Sequence, residues 1–180
     1  MRGTRLLLVM SLLVPVGVAA AEPAGAVLPH ATCTKLSGFQ TYTPALPKLG
    51  VATKVTATAS AVANITGCTG GVASGTSTSK TTYIGNCTTL LTAKVGTVIK
   101  GTATIKWNTG KTSIVTTTLT TLTMPSAAGS SVKLVSKVTL GLFKGSTSTV
   151  TLKVTAPAGS CTATGLSKYT FVNSSKFVYS

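Results

Sequence analysis

From Val98 to Met124 the chain reads VIKGTATIKWNTGKTSIVTTTLTTLTM, and the first half of this stretch alternates strictly. Ile99, Gly101, Ala103, Ile105 and Trp107 fall on one face of an extended segment; Lys100, Thr102, Thr104 and Lys106 fall on the other. A period of two puts successive side chains on opposite faces of a strand, so the pattern predicts a sheet with one dry and one wet side. The segment breaks at Asn108-Thr109-Gly110-Lys111 and resumes, which predicts a β-hairpin. Two registers are open. A type I turn with Gly110 in the left-handed conformation gives a bulged hairpin. A four-residue loop would set Trp107 opposite Thr112 and Ile105 opposite Ile114. The two registers turn opposite faces of the second strand inward, and Ile114/Leu122 against Val115/Leu119 does not choose between them.

The flanking segments follow the same grammar. Lys35 to Thr43 alternates loosely, with Phe39 and Thr41 against Gln40 and Tyr42, and Pro44, Pro47 and Gly50 then mark a turn-rich connection. Val51 to Ile65 places Val51, Thr53, Val55, Ala57, Ala59, Ala61 and Ala63 on one face, and its Thr and Val content favours strand over helix. Val72 to Ile84 is a Ser/Thr-rich strand with a break expected near Gly75, and Asn86 to Leu91 suits a short strand or one helical turn. Val132, Leu134, Val138, Leu140 and Leu142 are expected inward on one further strand, and Val150, Leu152 and Val154 on the next. Final strands run through Leu166 and from Tyr169 to Tyr179. About eight to ten short strands punctuated by turns predict a single all-β domain, an antiparallel sandwich or barrel.

The first residues differ from all of this. Arg2 and Arg5 precede the apolar run from Leu6 to Val14, and small residues follow, the layout of a secretory signal with cleavage after Ala26 or, alternatively, Ala21. Removing residues 1–26 removes Glu22, the only acidic residue, and leaves a 27–180 domain whose side-chain charges are lysines, with one histidine, His30. The expected location is outside the cell or on its surface. The four cysteines, Cys33, Cys68, Cys87 and Cys161, then predict two disulfides. Cys33 opens the first strand and Cys68 closes the second, which favours Cys33–Cys68 and Cys87–Cys161 among the three pairings.

Several segments carry a resemblance: Cys33-x2-Leu36-x-Gly38 leading to Pro44-x-Leu46, then Ile65-Thr66-Gly67-Cys68-Thr69-Gly70-Gly71 and Cys87-x2-Leu90-Leu91. They continue with Gly101 through Trp107 and Gly110 to Ser113, with Gly141-Leu142-Phe143-Lys144-Gly145 and with Gly159-Ser160-Cys161. In this order they resemble a group of small exported actinobacterial proteins of uncharacterised function. The resemblance implies an exported all-β domain and supplies no catalytic or binding residue.

Much chemistry is excluded by composition. Without Asp or Glu after position 22, acid–base catalysis by carboxylates and oxygen-rich calcium or magnesium sites have no ligands or proton carriers. A Ser–His–Asp triad lacks its Asp, and His30 sits near the expected mature N-terminus. Ser77-Thr78-Ser79-Lys80 matches S-x-x-K and Lys111-Thr112-Ser113 is close to K-T-G, but no S-D-N element accompanies them, and such matches arise by chance in a chain this rich in Ser, Thr and Lys. The lysines are spread along the chain with no run, and no Arg follows Arg5 for bidentate base contacts, so no specific nucleic-acid partner is expected. Anionic envelope polymers or lipid headgroups are the partners such a surface suits. No metal or cofactor is expected.

These observations order three functions. The first is a non-enzymatic structural or interaction module at the envelope. The second is a carrier of a small apolar or lipid ligand in a barrel cavity faced by Ile99, Ile105 and Trp107. The third, a Ser/Lys hydrolase at Ser77 and Lys80, has the least support. The sequons at Asn64, Asn86 and Asn173 matter only on a eukaryotic secretory route.

Overall fold

In the computed structural model, the described residues are 30–92, 99–122 and 130–180, so the expected signal segment lies outside them. The chain runs through β1 (Ala31–Leu46), β2 (Val55–Thr69), β3 (Ser74–Gly85), a short helix α1 (Cys87–Thr92), β4 (Ile99–Trp107) and β5 (Thr112–Leu122). It continues through β6 (Ser130–Gly141), β7 (Thr147–Thr155), β8 (Leu166–Asn173) and β9 (Phe177–Tyr179). Each strand pairs antiparallel with the next from β1 to β8, and β8 pairs back onto β1. The result is a closed eight-stranded barrel with one extra strand, and the alternative of a sandwich is set aside. Closure leaves no free sheet edge around most of the circumference and turns the inner face of every strand toward one lumen.

The extra strand β9 continues β8 across a short break at residues 174–176. It pairs with the start of β1, Cys33 opposite Phe177, and exchanges backbone hydrogen bonds between Thr147 and Ser180 at the start of β7. Asn173 bridges the interruption. Its Oδ1 accepts from the Leu36 amide at 2.8 Å, and its Nδ2 donates to the Thr34 and Ser175 carbonyls at 3.0 and 2.7 Å. A side-chain amide thus replaces the backbone groups that the break withdraws from β1.

The hairpin adopts the bulged register. Gly110 has φ of +79°, its amide donates to the Trp107 carbonyl at 2.9 Å, and the Trp107 amide donates to Lys111 at 2.9 Å. Ile105 therefore faces Ser113 and Ala103 faces Val115. Ser113 and Val115 are buried, while Ile114 is turned to the outer face and only half-buried.

Two local expectations are corrected, at Leu140 and at Gly75, and the inward face of β1 is settled. Alternation alone puts Leu140 inward, but a bulge opposite Ile114/Val115 reverses the parity beyond Val138 and leaves Leu140 54% exposed. On β1 the inward set is Leu36, Gln40, Tyr42 and Leu46, with Phe39 outward, 37% exposed and capped by the Lys168 ammonium 4.4 Å from its ring. β3 does not break at Gly75; the Trp107 ring lies on that glycine, where a Cβ would come within 2.8 Å of Cε3.

Both disulfides form, Cys33–Cys68 and Cys87–Cys161. The first joins residues that face each other across β1 and β2, with Cα atoms 4.0 Å apart. The second ties α1 to the loop before β8. Disulfides of this kind fit an oxidising compartment. No helix among the described residues is long and apolar enough to cross a membrane. The outer wall carries Lys80, Lys106, Lys133, Lys137, Lys153 and Lys168 within its strands, all exposed, so the described surface lacks the tall apolar band of a membrane-spanning barrel.

Candidate functional site: a cavity within the barrel

The two ends of the lumen are packed differently. At the end holding the 108–110 turn, Trp107 is 2% exposed and stands edge-on to Phe143 and Tyr179, with ring centroids 5.4 and 5.9 Å away. Its Nε1–H donates to Ser113 Oγ at 2.8 Å, and the Ser113 hydroxyl in turn donates to the Leu142 carbonyl. This end is a filled aromatic plug whose indole N–H is paired.

At the opposite end α1 folds over the barrel. Asn86 begins it with a reciprocal cap: its Oδ1 accepts from the Thr89 amide at 2.9 Å, while Thr89 Oγ1 accepts from the Asn86 amide at 2.8 Å. The Asn86 Nδ2 reaches across to the Val51 and Thr53 carbonyls at 2.8 and 3.3 Å. The Cys87 amide donates to Pro47 and the Leu49 amide to Cys161, so three connecting segments and one disulfide hold this end together. Asn86, buried and fully engaged in the cap, is no acceptor for a glycan.

Between the two ends lies a cavity of about 220 Å³. Its origin is in the sequence. Ala59, Ala61 and Ala63 from β2, Ser77 and Ser79 from β3, and Gly101 and Ala103 from β4 form one wall of small residues. Register stacks them into layers around the barrel: Gln40, Ala61, Ser79, Ala103 and Val115 succeed one another across five strands at one level. Leu36, Val132, Leu134, Leu152, Val154 and Phe171 complete an apolar opposite wall. An eight-stranded barrel is wide enough either to be filled by its own side chains or to hold one small ligand, and side-chain size decides which. Here the small wall leaves the centre unfilled. Among the described residues β3 pairs with β4 over residues 75–79, and Thr81 and Thr82, exposed and beyond that pairing, line the cavity where it meets the surface.

Besides the small hydroxyls of Ser77, Ser79, Thr117 and Ser136, the cavity has one cluster of larger polar side chains. Gln40 and Tyr169 are opposite each other on β1 and β8, and Tyr42 follows two residues after Gln40 on the same face. Gln40 Nε2 donates to Tyr42 Oη at 2.8 Å, and the Tyr42 ring lies 5.8 Å from Tyr83 and 6.2 Å from Tyr169. Burial pushes the Tyr169 phenol up to about 12 and raises Tyr42 further still, with the neighbouring phenols adding to the shift. These hydroxyls stay protonated, as hydrogen-bond donors and acceptors, at any physiological pH.

The residues singled out from sequence are distributed unevenly around this site. Ile105 lines the cavity. Trp107 does not, because the plug occupies it, and the Ile99 side chain lies outside the described residues. Ser77 faces the lumen, but Lys80 is exposed on the other side of the same strand, since a spacing of three reverses the face. Lys111 is exposed in the hairpin turn, whereas Ser113 is buried under Trp107. His30 is exposed at the start of the described chain. Neither Ser/Lys match is assembled. Among the described residues no group of three His, Cys, Asp or Glu could hold a metal ion.

The Gln40, Tyr42, Tyr83 and Tyr169 cluster is the part sequence reasoning missed. Its signal was present: Leu36, Gly38, Gln40, Tyr42 and Leu46 share one parity, and the leucines at both ends mark that parity as inward. Comparison of the chain with protein-family models, curated protein sequences and solved structures yields no match.

Proposed function

We propose that this protein is an exported, non-enzymatic carrier that holds a small, largely apolar ligand inside its barrel. The observation that carries this is the cavity of about 220 Å³ behind a wall of alanine, serine and glycine. A void of about 150 Å³ accepts a benzene ring, so this one suits a molecule somewhat larger. If wholly enclosed and dry, 220 Å³ would correspond to at most roughly 5 kcal/mol of lost packing at about 24 cal/mol per Å³. Leucines in place of a few of these alanines would recover much of it. A domain whose whole stability is about 5–15 kcal/mol keeps such a space at a cost that ligand binding explains.

The test is displacement of a fluorescent apolar dye from the purified protein by small hydrophobic compounds, followed in parallel by thermal unfolding. Saturable binding at one site per chain, with a rise in Tm, is expected. If neither dye nor compound binds, the barrel is a structural module only.

Every lysine whose side chain is described is exposed, and no Asp or Glu follows Glu22. This supports a place of action at anionic envelope polymers or lipid headgroups, held by an unfocused positive surface. Retention on anionic vesicles should fall steeply between low and physiological salt. Equal retention at both would remove the electrostatic partner and leave the carrier intact.

A further inference from the structure

Resting on the carrier reading, we propose that the ligand is uncharged and bears a hydroxyl or carbonyl group that is seated against Gln40, Tyr42 and Tyr169, and that the carboxylate of the same skeleton is rejected. The inference comes from which groups face the cavity. Among the residues whose side chains are described, no lysine lines it and every lysine is exposed. No acidic side chain follows Glu22 either, so a buried ligand charge of either sign would meet no counter-charge among the described side chains. An uncompensated buried charge costs several kcal/mol, more than a cavity of this size returns by excluding water from a ring or short chain.

A neutral polar group finds partners instead. The amide of Gln40 has two N–H donors and a carbonyl acceptor, and its bond to Tyr42 uses one donor. Tyr169 lies directly across from Gln40 on the neighbouring strand. The remaining amide donor, the amide carbonyl and the two phenols, themselves hydrogen-bonded to each other, thus converge on one corner of a cavity whose other polar side chains include the small hydroxyls of Ser77, Ser79, Thr117 and Ser136. Such a corner orients a ligand that carries a single polar group and leaves the rest of it against Leu36, Ala61, Leu134 and Phe171. Burial keeps Tyr42 and Tyr169 protonated, so the corner donates hydrogen bonds without supplying charge.

The experiment compares toluene, benzyl alcohol and benzoate at neutral pH, by calorimetry or ligand-observed NMR, on the full chain and on Gln40→Leu and Tyr42→Phe. Benzyl alcohol and toluene should bind, and benzoate should bind at least about 100-fold more weakly than the alcohol. Each substitution should weaken the alcohol by roughly 3–10-fold and leave toluene unchanged or tighter. Benzoate within tenfold of the alcohol, or equal responses of toluene and the alcohol to the substitutions, overturns the inference while the carrier reading stands. Failure of all three compounds to bind removes both. Should a variant not fold, as judged by circular dichroism, the benzoate comparison on the unmodified chain still decides.

Discussion

Ala61 sits at the middle level of the cavity, between Gln40 on β1 and Ser79 on β3, and it is the position where an enlarged side chain best separates an open lumen from a filled one. Ala61→Leu adds three carbons to a space of about 220 Å³. At about 0.8 kcal/mol per buried carbon the gain is about 2.4 kcal/mol, and fixing a leucine rotamer takes back about 0.5–1. A net stabilisation of about 1.5 kcal/mol follows, which for a chain of this size raises Tm by roughly 3–6 °C. Ligand binding should fall by more than tenfold in the same variant, because the leucine occupies the ligand's place. Ala57 supplies the control. It lies on the same strand, is fully buried in the packed end near Leu46 and Cys87, and does not line the cavity. Ala57→Leu should overpack and lose about 1–3 kcal/mol. Scanning calorimetry and urea titration of the two variants, with and without toluene, read both effects. If Ala61→Leu unfolds below the unmodified protein, as Ala57→Leu does, the lumen is filled and the reasoning fails.

Three further outcomes are expected. Ser113→Ala leaves the Trp107 indole N–H and the Leu142 carbonyl without their shared partner and should cost about 2–3 kcal/mol in denaturant unfolding; a loss under about 0.5 would show that the plug does not depend on this bond. Stability should be flat from about pH 3 to about pH 9, since no Asp or Glu follows Glu22. It should fall as pH rises above about 10, because the Tyr42, Tyr169 and Tyr179 phenols have folded-state values raised by burial and the unfolded chain releases those protons first; acid unfolding near pH 3 would contradict this. Replacing Cys87 and Cys161 with alanine should lower stability by about 4 kcal/mol and speed amide hydrogen exchange at Leu90, with exchange at Trp107 much less affected below the global unfolding limit.

How much of this was legible depended on the range of the interactions involved. Strand identity lay in local alternation, and Ala57 to Ala63, Ile105 to Trp107 and Val150 to Val154 all face where their parity put them. The hairpin register was not decidable locally. Ile114 against Ile105 is the better apolar match, but the observed pairing gives Trp107 a hydroxyl at Ser113, and a buried indole N–H requires a partner. Leu140 departs from its alternation because a bulge shifts parity without leaving a mark in composition. The choice of barrel over sandwich rests on β1 pairing with β8 as well as with β2, the former contact made across most of the chain. The cavity was the least legible feature. Ala61, Ser79 and Ala103 look ordinary in their separate strands, and only register aligns them into one thin-walled layer.

A barrel that leaves its centre open must draw its stability from elsewhere, and the distribution of constraints shows from where. The Cys33–Cys68 and Cys87–Cys161 links span 35 and 74 residues, which the chain-entropy account converts to about 3.8 and about 4.4 kcal/mol. Each is of the same order as the roughly 5 kcal/mol that a wholly enclosed, dry lumen would leave unrealised. Their placement is complementary as well. One closes the β1–β2 hairpin near the Trp107 plug, and the other fastens α1 at the far end, so both ends of the barrel are secured without a side chain crossing the middle. With no Asp or Glu side chain after Glu22 to form ion pairs within the barrel, covalent closure and the continuous ladder of backbone hydrogen bonds replace the two usual resources, a dense core and surface salt bridges. That substitution is what allows β2, β3 and β4 to present small residues to the lumen rather than side chains that would fill it.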